Sequence, residues 1–214
     1  GTFAMGRLKP AYKYAGGVKY DAFVTTTLEA RGTTMSGKVG TGNAMGHNSF
    51  SSDTVGVYLM GGKLAINLGV AEGSSATDGS NGDMAVSYKH KMGKKNELVF
   101  AHVATGSDRA AADEYSATKV GGKFGAVKFQ IESIDDAGDK GTNLFIAYGM
   151  KAAGGKVVIQ GGQSDFDSMT DATTDVTVGY IKKFTKSSRW FAGLRSTDGD
   201  SEATVVTYGM RFDY

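Results

Sequence analysis

The sequence predicts an all-β fold: a closed antiparallel transmembrane β-barrel of about 14 strands, with roughly 12 to 16 compatible, as a single domain over residues 1–214. Three observations predict it. Stretches of about ten residues alternate between an apolar and a polar face, as successive strand side chains must when one side of a sheet meets an apolar medium. Very short turns, most of them with Gly, alternate with longer polar loops. The composition is hostile to helices, with 32 Gly, one Pro, no Cys and one Trp in 214 residues; each Gly in a helix interior costs about 1 kcal/mol relative to Ala.

The first candidate strand, Thr2 to Lys9, has two readings, with either Phe3 and Met5 or Ala4 and Leu8 outside. Further on, Val18, Tyr20, Ala22 and Val24 oppose Lys19, Asp21 and Thr25, and Leu64, Ile66, Leu68 and Val70 oppose Ala65, Asn67 and Gly69. Asn96 to Thr105 is apolar on both faces apart from Glu97 and His102, and Tyr115 to Phe124 has no clean apolar face. Val127, Phe129 and Ile131 oppose Lys128, Gln130 and Glu132; Leu144, Ile146, Tyr148 and Met150 oppose Asn143, Ala147, Gly149 and Lys151. Val176, Val178 and Tyr180 oppose Thr177, Gly179 and Lys183. The cleanest alternation comes last, with Thr204, Val206, Tyr208, Met210, Phe212 and Tyr214 against Ala203, Val205, Thr207, Gly209, Arg211 and Asp213. Ten residues at about 3.3 Å each, tilted near 45°, cross an apolar band of roughly 25 Å.

Turn chemistry gives the array a direction. Short turns are expected at Ala15-Gly16-Gly17, Met60-Gly61-Gly62, Gly93-Lys94-Lys95, around Lys123 to Gly125, at Ala153-Gly154-Gly155 and at Thr185 to Ser187. Longer loops are expected at Glu72 to Gly82, Gly106 to Glu114, Ser133 to Gly141, Asp165 to Thr174 and Ser196 to Glu202. Short turns at one rim and long polar loops at the other match the periplasmic and extracellular ends of such a barrel. No basic and apolar leader precedes Thr2, so a targeting segment is expected to be gone already or never present.

Several functions are disfavoured. A formal charge of +2, without a basic block interleaved with aromatics, does not suit nucleic acid. His47, His90 and His102 have no second His or Cys at ligand spacing, and neither a nucleophile elbow nor a phosphate loop occurs, so no metal, cofactor or catalytic site is expected. Asp135-Asp136 is expected in a solvated acidic loop.

These residues resemble the general porins of Gram-negative outer membranes. Asp175 to Leu194 (DVTVGYIKKFTKSSRWFAGL) looks like the penultimate porin hairpin with its small basic turn, and Ala203 to Tyr214 resembles the closing strand, with Tyr where Phe is more usual. Gly1 to Leu8 is similar to the porin strand leading into the constriction loop, and Ala11 to Phe23 (AYKYAGGVKYDAF) to the hairpin after that loop. Almost no room for a constriction loop then remains between Leu8 and Ala11; Ala30 to Asp53 either folds inward in its place or is a plain external loop. The resemblance implies an outer-membrane porin, a passive diffusion channel for small hydrophilic solutes and ions rather than an enzyme. It implies a homotrimer in contact with membrane lipid and lipopolysaccharide, inserted by barrel-insertion machinery that reads the C-terminal strand with Tyr214. An outer-membrane barrel enzyme or an autotransporter-type translocator is the alternative.

In a pore the inward charges select solutes. Alternation assigns Lys19, Asp21, Lys89, Lys128, Glu132, Lys183, Arg195 and Arg211 to the lumen, six basic against two acidic, which predicts a weak anion preference. Inward glycines such as Gly69, Gly149, Gly179 and Gly209 are expected to leave space in the lumen. Tyr20, Phe184, Trp190, Phe212 and Tyr214 are expected to form an aromatic girdle at the headgroup level.

Overall fold

A computed structural model describes residues 1–15, 20–24, 26–30, 51–61, 63–69, 82–104 and 114–212. It holds one antiparallel sheet whose twelve strands pair in chain order. They are β1 (Thr2–Leu8), β2 (Ser51–Leu59), β3 (Leu64–Gly69), β4 (Met84–Met92), β5 (Asn96–Ala104), β6 (Tyr115–Phe124), β7 (Val127–Asp136), β8 (Asp139–Ala152), β9 (Gly155–Phe166), β10 (Thr173–Lys183), β11 (Ser188–Asp198) and β12 (Ala203–Phe212). A one-turn helix, α1 (Ala11–Tyr14), lies between β1 and β2. Among the described residues no ladder joins β1 to β12.

Among the described residues twelve strands stand, within the expected 12 to 16 but fewer than the central figure of about 14. The difference lies at Ala11 to Phe23. The described residues there form α1 and a series of turns, not a hairpin. The alternation of Tyr20, Ala22 and Val24 with Asp21 describes a segment buried against a wall as well as a strand in a sheet. Ser133 to Gly141 is a second correction. β7 and β8 run through it and are joined by Ala137 and Gly138 alone, at φ 55 and 90. Positive φ at both central residues gives a tight turn whose twist matches the strands. Asp135 and Asp136 therefore end a strand, and an Asp135 carboxylate oxygen accepts the Gly138 N–H at 3.0 Å. Ala153-Gly154 repeats this geometry at the other rim, with φ 47 and 73.

Register sorts the two faces of the sheet. Phe3 and Met5 of β1 point outward with Leu68, Phe100, Ile131, Ile146, Val178 and Tyr208, all exposed, and Tyr208 is 88% exposed. The inner face carries Ala85, Val99, Ala101, Gln130, Glu132, Asn143, Gln160 and Thr177, all buried. β5 explains itself here: its second apolar face, Val99, Ala101 and Val103, is covered by Ala11, Tyr12, Ala15 and Tyr20. Burying that apolar surface contributes about 25 cal/mol per Å². The sheet is thus curled around the segment that follows β1.

Candidate functional site

Antiparallel pairing puts Leu8 opposite Ser51, and Thr2 opposite Tyr58 beside the short Met60-Gly61 turn. The chain therefore leaves β1 at the rim opposite the short turns, and the described residues among 9–30 lie inside the sheet. Among the described residues their hydrogen bonds and ring contacts reach the inner faces of at least eight strands. The Ala11 N–H donates to Asn67 of β3 at 2.6 Å, and the Tyr12 hydroxyl donates to Glu132 of β7, which also accepts from Asn143 at 3.2 Å. Lys119 of β6 places its ammonium 3.9 Å from the centroid of the Tyr12 ring. The Tyr20 hydroxyl donates to Glu97 of β5 at 3.2 Å, while Lys128 donates to the Tyr20 carbonyl at 3.0 Å.

Beyond Tyr20 the segment turns on Asp21. One carboxylate oxygen accepts the Phe23 N–H at 2.7 Å and the Gln160 amide at 2.8 Å; the other accepts the Ala30 N–H at 2.9 Å. Gln160 of β9 also accepts the Ala22 N–H at 3.2 Å and donates to the Leu28 carbonyl at 3.3 Å. Thr177 of β10 donates to Leu28 O at 3.0 Å, Arg195 of β11 to Glu29 O at 3.0 Å, and Arg211 of β12 to Val24 O at 2.6 Å. A segment inside a wall has no ladder of its own, so its buried backbone groups need such side-chain partners.

Shape completes the seat. Phe23 and Leu28 cluster with Val158 and Phe191, and the Phe23 and Phe191 rings stand 6.4 Å apart. A Cβ on Gly179 would collide with the Phe23 ring, one on Gly193 would lie 2.9 Å from Leu28, and one on Gly121 would lie 3.1 Å from Tyr20. Inward glycines at these positions make room for side chains of the segment rather than for open lumen.

Burial governs the protonation of the segment. It holds the Tyr12 hydroxyl well above its usual range, reinforced by the Glu132 carboxylate, and it raises Tyr20, where Glu97 adds to the effect. Both phenols therefore stay protonated donors. Burial also raises the Asp21 carboxyl, against the pull of its hydrogen bonds from Gln160, Phe23 and Ala30.

The residues expected at the lumen fall into three groups. Lys89, Lys128, Glu132, Lys183, Arg195 and Arg211 lie on the inner face of the sheet by register. Of these, Glu132 is fully buried beneath Tyr12, and Arg195 and Arg211 hold carbonyls of the segment. Asp21 belongs to the segment, not to a strand, and Lys19 lies outside the described residues. Among the expected girdle aromatics, Tyr20 is a correction: it is 2% exposed and inside, because its hydroxyl has Glu97 as a partner there. Trp190 faces outward on β11 with its ring centroid 5.2 Å from that of Tyr180; Phe184 and Phe212 are exposed, and Tyr214 lies outside the described residues.

A cavity of about 670 Å³ opens beside the segment towards the short-turn rim, lined by Lys128, Lys151, Lys156, Lys183, Arg189 and Asp21 among others. A second, of about 470 Å³, is lined by Lys9, Lys63 and Lys89 with Tyr58 and Tyr88. Sequence reasoning misses Tyr12, Phe23 and Gln160 as anchors, and Lys156 and Arg189 as cavity residues. The available signal was the single inward glycines of separate strands, Gly121, Gly179 and Gly193, each of which leaves room for a bulky partner. No group of three or more His, Cys, Asp or Glu able to hold a metal occurs among the described residues.

An antiparallel meander with an apolar outer face, curled around an inward segment, is a porin-like fold. Among solved structures the chain is similar to an anion-selective porin from Comamonas acidovorans, with a TM-score of 0.64 and 14% identity over 99% of this chain and 70% of that one. No protein-family model matches the chain, and no curated protein matches it by sequence.

Proposed function

We propose that this chain forms an outer-membrane porin, a closed barrel through which small hydrophilic solutes diffuse passively, with a weak preference for anions. The observation that carries the preference is how the inward charges are used. The acids are spent on structure: Glu132 receives Tyr12 and Asn143, Asp21 receives Gln160 and two backbone N–H groups, and Asp175 receives Thr197 at 2.5 Å with Arg195 3.8 Å away. Lys128, Lys151, Lys156, Lys183 and Arg189 line the larger cavity, and Asp21 is the one acid among its described lining residues. A passage walled by cations concentrates anions and repels cations.

Support for the membrane comes from the outer face, where apolar side chains run unbroken from Phe3 to Met210 across the sheet, far beyond the patch of a few hundred Å² usual for a soluble monomer. Phe184, Trp190 and Phe212 then sit at the periplasmic headgroup level. The similar Comamonas protein is an anion-selective porin, and the porin resemblance further implies a homotrimer. The test is purified protein in planar bilayers under a KCl gradient. Stable ohmic steps with a reversal potential on the chloride side are expected; silent membranes at high protein concentration would remove the channel, and a potassium-side potential would remove the anion preference.

A further inference from the structure

The register of the sheet sets like charges directly opposite one another. Lys123 pairs with Lys128 across β6 and β7, Lys151 with Lys156 across β8 and β9, Lys183 with Arg189 across β10 and β11, and Arg189 with Arg211 across β11 and β12. All stand at the short-turn rim, on the inward side by register. Cross-strand partners of like charge destabilise a sheet, and opposite charges there are favourable. The rim nonetheless repeats the unfavourable choice, except where Glu97 faces Lys91 and Lys123. Five consecutive strands, β7 to β11, each send one cation into the 670 Å³ cavity, and Lys151, Lys156 and Lys183 have no carboxylate within ion-pair range among the described residues.

We infer that this rim is a binding site for multivalent oxyanions, built so that one solute with several negative groups satisfies cations that repel one another. The inference rests on the channel reading above and adds a saturable site to it. A cavity of this size suits a small molecule. The Lys151–Lys156 and Lys183–Arg189 pairs lie two strands apart, about 10 Å at the usual strand spacing, so a solute with spaced charges bridges them while a single chloride meets one pair at most. Asp21 lines the same cavity beside Lys128 and fixes the inner limit of the site.

Tripolyphosphate is the probe. Across bilayers holding the full chain in dilute KCl, added tripolyphosphate is expected to reduce the chloride current along a saturating curve, at concentrations where KCl of equal ionic strength raises it. In Lys156→Gln/Lys183→Gln the half-blocking concentration is expected to rise by about tenfold or more, as befits the loss of two charge-assisted contacts. Calorimetric titration of tripolyphosphate into detergent-solubilised protein gives a second readout, with Lys156→Gln alone as the variant where the double one does not assemble. Chloride steps without block, or a block and heat of binding indifferent to these substitutions, would overturn the site while leaving the channel intact. Absence of any chloride step, with tripolyphosphate heat retained and lost in the variant, would instead keep the site and remove the channel.

Discussion

The Phe23 ring occupies the space that a side chain on Gly179 would fill. One residue belongs to the inward segment and the other to β10, so the bareness of the wall and the bulk of the segment are two halves of one fit.

Gly179→Val should therefore displace Phe23 and loosen the segment. Overpacking of this kind costs typically 1–3 kcal/mol. The expected outcome is noisier single-channel current and a lower temperature for conversion to the heat-modified form on gels. Adding Phe23→Ala should recover much of the loss, because the two sites are coupled by contact; equal effects with and without Phe23 would count against the seat.

Gln160→Leu removes one amide that serves Asp21, Ala22 and Leu28 together. Buried groups left without partners cost about 1–3 kcal/mol each. The variant should expose the 20–30 region to added protease while the sheet stays intact, measured by the size of the surviving fragments.

Acidity should act on the same contact. Burial holds the Asp21 carboxyl above the usual carboxylate range, so the folded state binds its proton more tightly than the unfolded chain does. The resulting stability is fully present below the unfolded value and is lost as pH rises through the native one. Glu29, itself in the segment, adds to the upward shift, and Lys128 lines the same cavity beside Asp21. The melting temperature of the wild type minus that of Asp21→Asn should fall as pH is raised from about 4 and then level off; a flat difference would refute the assignment.

Selectivity offers a direct check on the inner wall. Lys89→Glu and Lys183→Glu each replace an inward cation by an anion, a change of two charges. Both should move the KCl-gradient reversal potential towards potassium, with Lys183 the larger effect because it lines the larger cavity. A charge reversal at outward-facing Lys182 should leave it nearly in place.

Strand positions were legible wherever one face meets an apolar medium and the other does not, as in β7, β8, β10 and β12. Alternation is a one-dimensional signal, however, and it reports which residues seek apolar surroundings without saying which surroundings those are. Tyr20 satisfies it by burial against the inner wall and Ala22 and Val24 lie half-buried inside the sheet, which is how a segment came to look like a strand. Ser133 to Gly141 looks polar enough for a loop because β7 and β8 extend there beyond the band of exposed apolar side chains that ends at Ile131 and Leu144. The cavity cations were half legible: Lys128 and Lys183 follow from alternation, but the pairing of Lys151 with Lys156 and of Lys183 with Arg189 exists only once the register is known.

The segment after β1 has its partners on β3, β5, β6, β7, β9, β10, β11 and β12. Neighbouring strands in a meander know only each other, so a hairpin array by itself is free to flatten or slip far from any given pair. A single peptide tied to eight of them removes that freedom, much as a cord drawn through the inside of a folded screen fixes its curvature. Assembly is then complete when the cord is drawn, not when the last strand is added, and damage at Asp21 or Gln160 should be felt by strands that neither residue touches.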